Sequence, residues 1–404
     1  MRINLKHLIS CALLVLPVMV CAQEANVTLY GIVDLGISTV HVSRNIHAKG
    51  GVLDKTQVGI DSGVQSGSRW GLRMVEPIND DLALNFLLES GVNAQNGTQG
   101  QGNRAFGRQS TLGVSSKQFG QVDLGRQMNV ASRYFLAIDP FGLGFGQSNL
   151  GASFGSANSL RYDNTIMLQS RTSAGFQCMV GYAFNVGQSA IYAQGPNTNL
   201  QPATENFGSM NNIRAVTAGV RYGADDWLWV ASFDAALASS QVQSVSDSGV
   251  NTSNPNASTP ITWALGTKYG FGRVQLSAAV GQGFNGAFSG QGPGNGLSGS
   301  GLATFTGGAG ILFDAEYDYQ SMMIGATLST SEDGKILASL QMMQPKGQLR
   351  ERAGYATQSI LGLAYTYILS KRTNLYVWGS IANNFQMIST AKSQVIGVGI
   401  RHLF

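Results

Sequence analysis

From residue 27 onward, apolar and polar side chains alternate in segments of about ten residues, the spacing of a strand rather than a helix. VTLYGIVDLGI sets Leu29, Val33, Leu35 and Ile37 on one face and Thr28, Tyr30 and Asp34 on the other. SRWGLRM repeats the design, with Trp70, Leu72 and Met74 opposite Arg69 and Arg73. Arginines sharing a face with the aspartate of a neighbouring strand imply a polar interior, the inverse of a soluble barrel. The final segment, SQVIGVGIRHLF, puts Ile396, Val398, Ile400 and Phe404 on one side. A chain ending within such a strand fits closure against the first, which leaves no open edge.

The same pattern predicts strands over 27–37, 64–75, 82–91, 104–115, 121–128, 159–168, 175–185, 213–223, 227–238, 261–270, 271–283, 317–329, 335–343, 359–369, 374–384 and 394–404. That makes sixteen, an even number, as single-chain bacterial outer-membrane barrels require. Short connections such as PINDD, SKQFG, GADD, SEDG and SKRT alternate with long ones over 38–63, 92–103, 129–158, 186–212, 239–260, 284–316, 344–358 and 385–393. Short turns on one rim and long loops on the other are the asymmetry of a transmembrane barrel. A β-sandwich shows no such alternation. The long connections are rich in Gly, Ser, Asn and Gln and read as exposed loops.

The connection at 129–158 differs from the rest. It has little periodicity but carries Phe135, Leu136, Ile138, Phe141, Leu143, Phe145 and Phe154, too apolar for a solvated tail. A segment with loop-like glycines and apolar side chains should pack against something concave, and is expected to fold into the barrel and narrow it. Aromatic residues near strand ends, among them Tyr30, Trp227, Trp229, Trp263, Tyr269, Tyr365, Tyr367, Tyr376 and Trp378, are expected to form girdles where lipid meets water.

Composition agrees. Of 404 residues only 12% are charged, half the usual globular share, and no stretch after the N-terminus reaches eighteen apolar residues, so no transmembrane helix is expected. A barrel reconciles little charge with no long apolar run. Residues 1–22 read as a secretory signal: Arg2 and Lys6 precede the apolar run Leu8–Val20, and the cut follows Val20-Cys21-Ala22. Bulky Val20 argues against a lipoprotein signal. Losing Arg2 and Lys6 lowers the formal charge from +4 to +2, which gives no case for nucleic acid binding. Cys11 and Cys21 leave with the signal, so Cys178 has no intrachain disulfide partner and reads as a small hydrophobe in GFQCMVGYAF. No composition shift marks a second domain, and 23–404 is expected to form one barrel.

Enzyme and cofactor motifs are weak. Gly151-Ala152-Ser153-Phe154-Gly155 spells G-x-S-x-G, but it lies in a loop and the only later histidine is His402 in the last strand. Gly294–Gly299 spells G-x-G-x-x-G with no helix after it to hold a phosphate. His41, His47 and His402 make a poor metal set. Neither catalysis, cofactor nor metal is expected.

The blocks VTLYGIVDLG, QSGSRWGLR, LESG, FGRQ, LGRQ and VGIRHLF, in this order and spacing, resemble the trimeric general-diffusion porins of Gram-negative outer membranes, and the resemblance covers essentially the whole mature chain. It implies an all-β fold: a sixteen-stranded antiparallel transmembrane β-barrel whose third loop folds inward, here 129–158. It also implies a homotrimer in a membrane containing lipopolysaccharide, export through the periplasm, and a terminal Phe404 read by the barrel-assembly machinery. By resemblance, Arg69 and Arg108 match arginines of the basic wall of the eyelet, Asp139 in IDPFG matches the acid of the inward loop, and Arg126 in LGRQ matches a position nearer the subunit interface. Asp34 and Glu89 are expected in the lumen. Two departures stand out: Asp139 is the only acid from 129 to 158, and Cys178 is unusual in this family.

Rings of charged side chains set ion selectivity in pores. With Arg69, Arg73, Arg108, Arg133 and Arg161 set against Asp139 alone, the expected channel passes ions and small hydrophilic solutes by passive diffusion with a preference for anions. The competing readings are a substrate-selective channel of the same shape, separable by solute-specific current block, and a non-transport adhesin on a barrel, separable by liposome swelling.

Overall fold

The computed structural model describes residues 26–46, 51–186, 212–238, 258–288 and 311–404, with the short pairs 243–244 and 252–253. The expected signal over 1–22, His47 and the glycine motif at 294–299 lie outside the described residues. The chain forms one closed antiparallel barrel of sixteen strands. They are β1 (Asn26–Ile46), β2 (Gly51–Ser62, resuming at Arg69–Pro77), β3 (Leu82–Asn93), β4 (Gln109–Ser116), β5 (Gly120–Met128), β6 (Arg161–Ser170), β7 (Phe176–Ala183) and β8 (Arg214–Ala224). The second half adds β9 (Trp227–Leu237), β10 (Ile261–Phe271), β11 (Val274–Phe284), β12 (Asp318–Ser329), β13 (Gly334–Lys346), β14 (Gln358–Ser370), β15 (Thr373–Asn383) and β16 (Lys392–Leu403). Each pairs with the next, and β16 pairs with β1 from Ile32↔Leu403 to Ser43↔Lys392. Gly31 and Phe404 exchange backbone hydrogen bonds at 3.0 and 3.1 Å, which carries the ladder to the last residue. The Phe404 ring lies over Gly31, where a Cβ would stand 2.2 Å from Cζ.

One expected loop is strand. Within that stretch, residues 38–46 and 51–62 extend the first hairpin, with β1 and β2 in register from Leu35↔Ser62 to Ile46↔Gly51. Alternation persists there, with Val40 and Val42 buried while Val58 and Ile60 are exposed. It is masked by polar residues on both faces, as suits a hairpin reaching beyond the hydrocarbon. β2 then leaves the ladder at Gly63 (φ 73°) and rejoins β1 at Ile32↔Arg69. The detour turns Val64 inward, where it is buried. Likewise β4 starts at Gln109, and 104–108 form the turn that carries Arg104 and Arg108.

The inside of the barrel is identified by what touches the inward loop. Leu265, Val280, Ile324 and Leu363 are 43 to 62% exposed, whereas the neighbours Ala264, Ala279, Met323 and Ala364 are almost wholly buried. Ala264, Ala279 and Met323 share one apolar cluster with Phe135, Ile138 and Phe154 of the loop. The core therefore lies between loop and wall, and the exposed band faces outward. Such a band is too apolar for a water-facing surface and suits lipid. No helix among the described residues is long and apolar enough to cross a membrane.

The girdle expectation holds only in part. Trp227 and Trp229 stack outside at 5.3 Å, and Trp227 meets Tyr269 at 4.4 Å. Tyr376 and Trp378 instead face inward, buried against Phe145. Alternation assigns each residue a face, but which face meets lipid follows only from closure.

Candidate functional site

Residues 129–160 join β5 to β6 inside the barrel. The loop opens with a short helix, α1 (Val130–Phe135), capped by the Asn129 side chain accepting from Ser132 N at 3.2 Å, a common way to satisfy an orphan helix donor. Asn129 also donates to Asp234 of β9 at 2.9 Å, and Val130 N donates to Thr217 of β8 at 2.9 Å. Further on, Gln341 of β13 donates to the carbonyls of Ser148 and Asn149 at 2.7 and 3.0 Å, and Ser321 of β12 to that of Ser153 at 2.5 Å. Phe145 N donates to the Val64 carbonyl at 2.5 Å. The loop is thus pinned from β8 around to β2, and its irregular backbone is satisfied by wall side chains.

Inward glycines make room for it. At Gly266 a Cβ would lie 2.8 Å from Phe135 Cε1, and at Gly325 it would lie 2.5 Å from Pro140 Cγ. Gly219 and Gly362 face Val130 and Ser148 in the same way.

The opposite wall carries charge. Glu89 of β3 is buried and accepts from Arg108 Nε at 2.7 Å and from the Tyr30 hydroxyl at 2.9 Å, with Arg69 Nε at 3.7 Å. Asp163 of β6 receives Arg104 Nη1 on both oxygens at 2.8 and 2.7 Å, and also receives Arg126. Between these two nodes Arg161 is buried; its electrostatic neighbours are Arg108, Arg126, Glu89 and Arg69. Its Nη1 donates to the Ser159 carbonyl at 2.7 Å, and its Nε has no partner. Arg69, Arg104, Arg108, Arg126 and Arg161 thus stand with two carboxylates, Glu89 and Asp163. Asp34 is buried beside them, accepting from Tyr376 at 2.6 Å and Ser66 N at 2.6 Å, directly across from Arg401 of β16.

Three sequence expectations, for Asp139, Arg133 and Arg73, are placed differently. Asp139 does not offer its carboxylate to the lumen: it is buried, and its oxygens accept from Phe141 N at 3.2 Å and Leu143 N at 2.8 Å. Burial raises its pKa from 3.8 to about 7, against those backbone bonds. An apolar loop pressed on a wall buries whatever acid lies within it, and only its own backbone can satisfy the group. Arg133 is tied to the root of the loop, donating to Gln127 Oε1 at 2.7 Å and the Met128 carbonyl at 3.2 Å, and burial lowers its pKa. Arg73 is exposed and lies over the ring of Tyr30, 5.5 Å from its centroid, so that it meets the Glu89 node through the tyrosine that donates to Glu89. Arg126 binds Asp163 and the Gly107 carbonyl within its own chain, which joins it to the charged wall and leaves open its expected place near a subunit interface.

Arg401 and Arg104 were not singled out from sequence. Arg401 was legible, since odd positions of the last strand oppose Ile396, Val398 and Ile400. Arg104 sits in a turn that the alternation assigns to the start of a strand over 104–115.

Residues 10–380 match the family model described as Gram-negative porin. The chain is 38% identical to an outer membrane porin protein of Bordetella pertussis, over 99% of this chain and 100% of that protein. Among solved structures, the anion-selective porin from Comamonas acidovorans superposes with a TM-score of 0.63 at 22% identity, covering 94% of this chain and all of that one. OmpF of Salmonella typhi superposes at 0.60 with 16% identity, covering 94% and 98%. A closed sixteen-stranded barrel with an apolar outer band, a loop folded into its lumen and a family match along almost its whole length make this chain a member of the Gram-negative porin family, an outer-membrane porin.

Proposed function

We propose that the pore passes small hydrophilic solutes by diffusion and prefers anions. The observation that carries this reading is the charge imbalance at the constriction: five arginines of the wall stand with Glu89 and Asp163, Arg401 stands across from Asp34, and the inward loop brings no free acid. Arginine keeps its charge at any physiological pH, and its fork donates to oxyanions. An anion passing the gap exchanges hydration for these donors. A cation meets uncompensated positive charge in a space partly walled by protein, where interactions exceed those in bulk water. The Comamonas acidovorans neighbour carries the description anion-selective, which accords with this reading.

The test is the reversal potential of the reconstituted protein across a potassium chloride gradient. A potential on the chloride side is expected; one on the potassium side overturns the proposal. Liposome swelling by small sugars separates a diffusion channel from an adhesin built on a barrel.

The further reading, from the resemblance, is a homotrimer in a lipopolysaccharide-containing membrane, delivered by a signal over 1–22 and inserted by the barrel-assembly machinery through Phe404. Conductance steps in threes support a trimer; single steps throughout exclude it.

A further inference from the structure

We propose that the constriction has two chemically distinct faces, and that Leu136 and Leu143 select organic anions carrying an apolar group. The inference rests on the anion-preferring reading and adds what the second wall contributes. From 129 to 160 the only charged residues are Arg133 and Asp139. Both are engaged in local bonds at or before the loop's own backbone, Arg133 on Gln127 and Met128 at its root, Asp139 on the Phe141 and Leu143 amides. What remains on the lumen side of the loop is apolar. On α1, Val130, Tyr134 and Phe135 are buried against the wall, while Leu136, which follows the helix, is 49% exposed and Ala137 is exposed beside it. Farther along, Gly142 is exposed and Leu143 half-buried.

Leu143 is also fixed in direction. It holds a left-handed backbone (φ 57°), uncommon for a bulky residue, and its amide is held by Asp139 at 2.8 Å. Asp139 therefore acts as a positioning residue for Leu143 rather than as a charge in the pore.

A gap with arginines on one wall and leucines on the other matches an amphiphilic monocarboxylate. The carboxylate meets the guanidinium groups, and the hydrocarbon tail lies against the loop instead of water. Half covering each methylene should tighten transient binding roughly twofold per carbon. A polyhydroxylated carboxylate of equal charge gains nothing from the same face.

The test uses the whole protein in planar bilayers in potassium chloride, with acetate, butyrate, hexanoate and gluconate titrated as blockers of the chloride current. Half-blocking concentrations should fall roughly twofold per added methylene from acetate to hexanoate, with gluconate no stronger than acetate. The double variant Leu136→Ser, Leu143→Asn should flatten the series and leave acetate unchanged; Asn tolerates the left-handed backbone. Equal block by hexanoate and gluconate in the unaltered protein overturns the proposal, as does an unchanged series in the double variant. The chloride reversal potential reads the charged wall alone, so failure there is distinct from failure of the chain-length series.

Discussion

Phe145 of the inward loop packs edge-on against Tyr376 of β15, ring centroids 5.4 Å apart, and the hydroxyl of that same tyrosine donates to Asp34. A single residue thus joins the tip of the constriction to the polar lining of β1. Phe145 is fully buried, and Phe141 and Trp378 complete its surroundings at 5.8 and 6.0 Å. Replacing it with alanine should cost about 3–5 kcal/mol locally. The barrel ladder does not depend on it, so the Phe145→Ala protein should still assemble. Single-channel records should show raised conductance and more open-channel noise, and the loop should become susceptible to protease.

The inward glycines predict a contrast between the two faces of one strand. A side chain at Gly266 must collide with Phe135, whereas its neighbour Leu265 points outward and is half exposed. Gly266→Val should displace the loop and change conductance, while Leu265→Val should leave it unaltered. Paired recordings of the two variants decide this, and equal conductance would remove the glycine seat as an explanation.

At the charged wall, the sign of each substitution is fixed. Glu89→Gln removes one of two carboxylates among five arginines and should raise the chloride-to-potassium permeability ratio. The double change Arg69→Gln, Arg108→Gln should lower it, by about fivefold per charge if each contributes roughly 1 kcal/mol at contact distance. Reversal potentials measure both, and high salt should shrink both effects by screening.

Asp139 makes the hold on the loop depend on pH. Its carboxyl is raised by burial from 3.8 to about 7 in the folded loop. Between those two values the docked loop binds a proton that the released loop does not, so docking is strengthened by acid and weakens as pH rises toward 7 and above. Protease cleavage within 129–158 should therefore be slower near pH 5 than near pH 8. Asp139→Asn, which cannot titrate, should abolish the difference.

Much of this arrangement could be read without coordinates. Alternation marked the strands, their even number and the two kinds of rim, and it put Arg69 on the polar face of β2. The apolar character of 129–158 announced a loop that must be buried. Other features escaped. The hairpin extension over 38–46 and 51–62 was hidden because its outer reach leaves hydrocarbon, where polar residues are tolerated on both faces. The lumen position expected for Asp139 fails because a carboxylate in a loop says nothing of whether water or backbone amides satisfy it.

The sequence by itself determined that the chain is a transmembrane barrel and which side chains share a face, because a strand's period of two is local and needs no partner. Only the tertiary structure decided which arginines meet. Glu89 and Arg108 are brought together by the β3–β4 ladder and the turn before it, and Asp163 gathers Arg104 and Arg126 from separate strands and turns. The same holds for the face the loop offers to the pore. Charge at a constriction depends on distances across a closed ring, and closure is a property of the whole chain.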